Sequence, residues 1–405
     1  MNIRIAEDDD IPAIARFNQR LKDGGRGEEQ ITLRPELPGE ARYRPPGFPV
    51  YRRMMIAEDG REVRAVVMLY HNNVFIHGKK RDFCWLDMPI SEGIIDRRHS
   101  LAIIQLIKAA LKYEPFLMST GAGPVDKVSF RLLTTLNWKN HVVPFFFYPV
   151  KVTNVLLGLS YFKKHAKFRY GALLGAYSGL GAGLSGLLAL RRRIAPSLSG
   201  YEYSMENIFD DWADRIFEDC LLDYGVAMRS DATTLNILHP PENPGLTRLR
   251  VRRKGAKQGA GQDVGQNVGQ DVGQDVGQDV GQDVGQDVGQ DVGWIIVASK
   301  RMKNNQYFGD LKVGTLVDGF GRAADAPAMV AAGIDYLAEI GVDIIVANFS
   351  HEAWVRACRR SGMLPGPESY YHFVSPGGSP LFEDTCPPRE IHLARGHSDG
   401  MWSLV

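Results

Sequence analysis

Two side chains and one short loop in the last third of this 405-residue chain are placed to do chemistry. His351 follows the apolar run VDIIVAN and opens a helix. A helix start lowers an imidazole's pKa and keeps it neutral enough to act as a general base, the alternative being an ordinary solvent-facing residue. Asp318 ends the preceding strand, where it is a second candidate base or a cap for the next turn. Directly after it comes Gly319-Phe320-Gly321-Arg322-Ala323-Ala324, small residues and one cation at the opening of a helix. Helix N-termini attract anions such as phosphate. The same string also reads as a tight turn that needs glycine, beside a solvated arginine.

These residues belong to a strand, helix, strand, helix unit over 309–364. Leu311, Val313, Leu316 and Val317 fit a strand, and Asp325, Pro327 and Gly341 bracket a helix with Val330, Ile334 and Leu337 on one face. The unbroken apolar run VDIIVAN suits a strand covered on both faces, and Ser350 caps a helix that stops at Gly362. At the other end, Asn2–Ala6 reads as a strand and Ile11, Ile14, Phe17 and Leu21 as the buried stripe of a helix. Asp8–Asp10 favour that helix's start and form a solvated cap rather than a metal site. A loop follows over 23–49. Three antiparallel strands come next, then a helix carrying Leu101, Ile104, Ile107 and Leu111, a short strand, a further helix and the aromatic strand HVVPFFFYPVKV.

Composition narrows the partners. Forty-eight Lys plus Arg against forty-seven Asp plus Glu give a net charge of +1, so no global field invites nucleic acid. Four scattered cysteines without CxxC spacing argue against a zinc ribbon or disulfide framework and fit a reducing cytoplasm. The acidic start MNIRIAEDDD lacks a signal peptide's apolar core. The expected location is the cytoplasm.

The order β-α, β-β-β, α-β-α-β resembles the GNAT acyltransferase fold, and it occurs twice. The expected organisation is an α/β (α+β) protein with mixed sheets: a GNAT-like domain over 1–152, an apolar Gly-rich linker over 153–199, and a second GNAT-like domain over 200–405. The entry DATTLNILHPPENPGLTRLRV and the ending IHLARGHSDGMWSL resemble tandem GNAT proteins of the Fem-type and polysaccharide-cluster groups, with His397 where aspartate is usual.

The resemblance implies an acyl-CoA donor, acetyl-CoA first, whose pyrophosphate rests on a glycine-rich loop opening the helix after the fourth strand. Neither copy keeps that loop intact. The second offers Gly319, Gly321, Arg322, Ala323 and Ala324; the first offers Arg97 and Arg98, which also read as a solvated face. The family's usual acid, a tyrosine in the last helix, is replaced by Leu133 and Cys358. By position, the base is Asp318 or His351 in the second copy and Asp87 in the first. The implied reaction is acyl transfer to an amine or hydroxyl of a small or glycan-related acceptor, with the donor in the second domain. The alternative is a catalytically degenerate GNAT-like binding or scaffold module.

Two stretches stand outside this scheme. From Gly261 to Val292 the unit GQDV recurs, once as GQNV, and its period matches neither helix nor strand. It reads as a solvated expansion of a hairpin loop. Gly171–Leu190 is twenty uncharged residues between basic flanks. Its glycines disfavour a spanning helix, leaving a packed interdomain linker, or peripheral contact with anionic lipid through 163–193.

Overall fold

A computed structural model describes residues 1–31, 49–123, 125–159, 198–255, 289–383 and 387–397. Most of the GQDV repeat and all of 171–190 lie outside them. Among the described residues no helix is long and apolar enough to cross a membrane.

The first unit runs β1 (Asn2–Ile5), α1 (Ile11–Asp23), β2 (Tyr51–Asp59), β3 (Glu62–Ile76), β4 (Lys79–Ser91), α2 (Ala102–Tyr113), β5 (Leu117–Thr120), α3 (Val128–Thr135), β6 (Lys139–Val142) and β7 (Phe145–Pro149), before a short α4 (Val152–Gly158). The second runs β8 (Tyr201–Glu206), α5 (Asp211–Cys220), β9 (Val226–Met228), α6 (Ala232–Leu238), β10 (Leu246–Arg253), β11 (Gln290–Arg301), β12 (Lys312–Gly321), α7 (Ala326–Glu339), β13 (Ile344–Asn348), α8 (Glu352–Arg360), β14 (Leu364–Pro365) and β15 (Tyr371–Val374). A short α9 (Pro380–Glu383) and β16 (Ile391–His392) close it. These are two successive units, each with a mixed sheet.

The units trade a strand. One sheet reads β1-β2-β3-β4-β5-β15-β6 and the other β14-β7-β13-β12-β11-β10-β8. Thus β15, from the end of the chain, lies between β5 and β6 of the first sheet. In return β7 lies between β13 and β14 of the second. The chain therefore crosses into the second sheet at Phe145, short of the boundary at 152 that the sequence suggests. β9 and β16 add a further link, with β9 pairing antiparallel to β3 and parallel to β16.

Each sheet is packed on both sides. Leu106, Ile107 and Ala110 of α2 cover Val67, Leu69 and Leu86 on one face of the first sheet. The opposite face packs Ile14, Phe17 and Leu21 of α1 against Ile56 and Val66, then Trp85 and Met118 against Phe382 and Leu393 from the second unit. The second core contains Trp212, Trp294, Phe320 and Trp354. At ~25 cal/mol per Å² of buried apolar surface, such aromatics dominate the burial energy.

One detail revises the repeat. Its last unit is not loop: Gln290, Asp291 and Val292 begin β11, where Val292 is buried and Asp291 holds Arg250 with contacts of 2.6 and 2.7 Å.

Candidate functional site

In each unit the fourth and fifth strands are parallel neighbours that then diverge. β4 and β5 pair at Cys84–Leu117 and Trp85–Met118, after which β4 continues to Ser91 paired only with β3. β12 and β13 pair from Val313–Ile344 to Leu316–Ala347, and β12 continues to Gly321. A bulge marks the divergence in both fourth strands, between Val66 and Met68 opposite Ile90 and Asp87, and between Ile296 and Val297 opposite Asp318 and Leu316. In β4 the bulge contains Pro89, which has no N–H to give the ladder.

The second gap is filled by the chain itself. Residues 391–397 enter it, bridging Phe349 to Ala394 and bonding Ser350 N–H to the Leu393 carbonyl at 3.0 Å. On the β12 side, His392 Nε2 donates to the Gly319 carbonyl at 2.8 Å and His397 Nε2 lies 3.3 Å from Asp318 Oδ2. His397 Nδ1 accepts from Ala394 N–H at 2.9 Å, so its proton is on Nε2 and points at the carboxylate. Asp318 Oδ1 accepts its own neighbour's N–H, from Gly319, at 2.8 Å. Burial works to raise the Asp318 pKa, but His397 and the other imidazoles hold it below the ordinary value. His239 stands 4.0 Å from the same carboxylate, and burial lowers its pKa to about 4.

The other residues of this region divide between close packing, polar contacts within the chain and exposure. A Cβ on Gly319 would lie 2.6 Å from Trp354 Cη2. The Gly321 carbonyl accepts from the Tyr224 hydroxyl at 2.6 Å, and Trp354 Nε1 donates to that hydroxyl at 3.1 Å. Arg322 and Ala324 are exposed. Ala323 N–H is bonded to Asp223 at 2.8 Å, and Asp325, buried at the start of α7, takes Tyr201 and Arg253. Asp223 thus takes one backbone N–H at the point where an anion would sit, while Asp325 is spent on Tyr201 and Arg253. His351 is buried, not solvent-facing as one sequence reading had it, and its Nδ1 caps α8 through Ala353 N–H at 3.3 Å. Burial lowers its pKa to about 4. Its one lone pair is spent on the helix. Cys358 is fully buried, and burial raises its thiol pKa.

The first gap differs. Among the described residues, no chain segment bonds between β4 beyond Trp85 and β5 beyond Met118. Asp87, 6% exposed, lies on β4 just past the divergence, hydrogen-bonded by the Tyr70 hydroxyl, which in turn accepts from Arg52. Burial first, then Asp87, raises the Tyr70 pKa and keeps the phenol protonated as a donor. α2 starts at Ala102 with no side-chain cap and no acidic residue in its first turn. Arg97 and Arg98 are exposed on the 3-10 turn before it, Arg98 being held by Asp96 at 2.6 Å. Glu92 at the loop's base is clamped by Arg20 and Arg64, each at 2.7 Å.

The structure therefore brings Asp318 and the Gly319–Ala324 loop together around a filled gap, and sets Asp87, Arg97 and Arg98 around the other. Sequence reading missed Asp223, Tyr224, His239, His392 and Tyr70. The sequence singles out His397 but not its partner, Asp318. No group of three or more His, Cys, Asp or Glu able to hold a metal occurs among the described residues.

No protein-family model and no curated protein sequence matches the chain. Solved structures do. The chain is similar to a tandem GNAT protein from the clavulanic acid biosynthesis pathway, at 10% identity and a TM-score of 0.46, over 93% of this chain and 98% of that one. It is similar to a probable N-acyltransferase from Enterococcus faecalis V583, at 9% identity and 0.47, over 94% and 74%. It is also similar to Saccharomyces cerevisiae N-myristoyltransferase with bound myristoyl-CoA, at 9% identity and 0.44, over 80% and 69%.

Proposed function

We propose that the protein transfers an acyl group from an acyl-CoA to an amine or hydroxyl acceptor, and that the donor enters the gap between β4 and β5 of the first unit. The observation that carries this reading is the contrast between the two gaps. The second is occupied by residues 391–397, and the Ala323 N–H before its helix is taken by Asp223. The first is bordered by a buried carboxylate and the exposed Arg97, before a 12-residue helix. This moves the donor from the second unit, where the glycine loop suggested it, to the first.

The chemistry follows from the side chains. Asp87 takes the proton of the attacking amine or hydroxyl, while Tyr70 and Arg52 fix its carboxylate in place. Positioned general bases contribute roughly 10²–10⁴-fold. The bulge takes backbone groups of β4 out of the β3 ladder, beside the point where the thioester carbonyl would lie. Arg97 and the α2 start meet the pyrophosphate. Acetyl-CoA is the first donor to try, with longer acyl-CoAs beside it. The site of action we propose is the cytoplasm.

The test is release of free thiol from acyl-CoA in the presence of a mixture of amines and sugars. Asp87→Asn lowers the turnover by about 100-fold while acyl-CoA still binds. A folded protein that binds no acyl-CoA would instead support the scaffold reading, which the broken glycine loops of both units favour.

A further inference from the structure

Among the described residues ten large apolar or aromatic side chains are exposed, and four of them stand on two neighbouring turns of the first unit. Ile94 (45% exposed) and Leu101 (65%) lie between β4 and α2, while Val125 (56%) and Val128 (82%) lie at the start of α3. β4 and β5 are parallel neighbours, so both turns leave the sheet at the same end, where the strands diverge. Both helices then pack on one face of the sheet, α2 through Leu106, Ile107 and Ala110 and α3 through Leu133 with Phe130 beside it. The four side chains therefore share one end and one face of the sheet, at the mouth of the first gap.

The core does not use them. The sequence puts Leu101 on the buried stripe of α2, but the side chains that reach the core are Ala102, Leu106, Ile107 and Ala110, and Leu101 is left outside. A single exposed aliphatic residue is ordinary, whereas a group of them marks an interaction site. The same face is basic. Over 94–113 and 125–135 there are six Lys and Arg against two Asp, in a chain whose net charge is only +1. Arg97, Arg98, Lys108, Lys112, Lys127 and Arg131 are all exposed. Of the two acids, Asp96 is spent on Arg98 at 2.6 Å.

We propose that this end of the first unit docks on an anionic lipid surface, with the four aliphatic side chains entering the interface and the cations meeting the headgroups. Peripheral binding of this kind scales with the apolar area inserted plus the attraction of basic side chains to anionic lipid. The residue types separate a lipid from a protein partner. Protein interfaces lean on Trp, Tyr and Arg anchors seated in pockets, and Leu and Val are under-represented among them. Here the apolar side chains are all aliphatic and stand on two separate turns. A fluid surface closes around separate tips, where a protein would need a matching pocket for each. For the acyl-transfer reading the consequence is that the first gap opens at the lipid interface, within reach of an acyl chain dissolved in the bilayer. The docking itself rests on the exposed side chains and not on that reading. It is also distinct from lipid contact through 163–193, which the sequence alone suggests.

The experiment is sedimentation of the full-length protein with phosphatidylcholine vesicles, with and without phosphatidylglycerol. Binding is expected with the mixed vesicles and is expected to weaken as salt rises. With phosphatidylcholine alone it is expected to be about tenfold weaker or more. The double variants Val125→Ser/Val128→Ser and Lys127→Gln/Arg131→Gln are each expected to weaken binding to the mixed vesicles about tenfold. All four side chains are exposed, so both variants should melt with the wild-type protein. No binding to the mixed vesicles overturns the proposal, and so does equal binding to the two kinds of vesicle. Binding that is unchanged in both variants also overturns it and assigns the contact to another part of the chain. An acyl-CoA titration without vesicles keeps the two claims apart. Donor binding without vesicle binding removes only this inference, and vesicle binding without donor binding removes only the acyl-transfer reading.

Discussion

The backbone N–H of Ala323 points at the carboxylate of Asp223, 2.8 Å away and one hundred residues earlier in the chain. The helix start in the second unit that most resembles a phosphate site already holds a negative group of its own. Replacing Asp223 by alanine leaves that N–H without its cap. The expected cost is about 1 kcal/mol of folding stability, the usual size of a lost N-terminal cap, read from urea unfolding. Acyl-CoA affinity is expected to stay unchanged in the same variant. A loss of affinity would place the donor in the second unit.

The buried histidines make stability depend on pH. Burial lowers the pKa of His239 and His351 to about 4 and that of His392 to about 3, against about 6.5 in an unfolded chain. The folded values are the lower ones, so in this window the unfolded chain binds more protons and stability rises with pH. The contribution is complete above about pH 6.5 and is lost as pH falls toward 4. For His239 alone the shift corresponds to about 3 kcal/mol. Asp318, held below its ordinary value, adds a separate loss at still lower pH. Urea midpoints between pH 7 and 4 should fall steeply, and His392→Gln, which keeps a donor for the Gly319 carbonyl, should flatten the slope. A midpoint independent of pH in the wild-type protein contradicts this account.

Gly319 is packed so closely that no side chain fits there. Alanine there would put Cβ 2.6 Å from Trp354 Cη2 and 3.1 Å from the Trp294 carbonyl, in a core where Trp354 is fully buried. Gly319→Ala is expected to destabilise by about 1–3 kcal/mol, an overpacking cost, without a specific effect on acyl-CoA binding per folded molecule. Thermal unfolding and donor titration of the same sample separate the two.

Much of the fold was legible because it is local. The 3.6-residue stripe of Ile14, Phe17 and Leu21, the unbroken apolar run of β13 and the caps around α7 each declare an element within a few residues. The strand exchange was not, because which edge β7 or β15 joins is decided by pairings such as His372 with Thr120, far apart in sequence. The site was half legible for the same reason. Asp87 and Asp318 could be placed by counting along the strands, but nothing near residue 318 shows that residues 391–397 fill its gap. Glycine at 319 and 321 carried the opposite message from the one the structure gives, since glycine serves close packing as readily as phosphate approach.

The GQDV repeat divides at Gly289. Deleting residues 261–288 removes none of the described contacts, and loop length enters stability only logarithmically. The melting temperature is therefore expected to stay within about 2 °C of the wild-type value. Extending the deletion through Val292 removes the buried Val292 and the Asp291–Arg250 pair, and is expected to destabilise the β10–β11 hairpin. Equal melting temperatures for the two deletions would show that the last unit has no structural role.

The central claim is that the donor binds in the first gap and not the second, and calorimetric titration with acetyl-CoA and a longer acyl-CoA tests it most directly. The account predicts binding that weakens about tenfold in Arg97→Ala, the loss of one phosphate-directed cation, and is unchanged in Arg322→Ala. Both arginines are exposed, so neither substitution should disturb the fold. Binding that weakens in Arg322→Ala and not in Arg97→Ala would contradict the account and return the donor to the second unit.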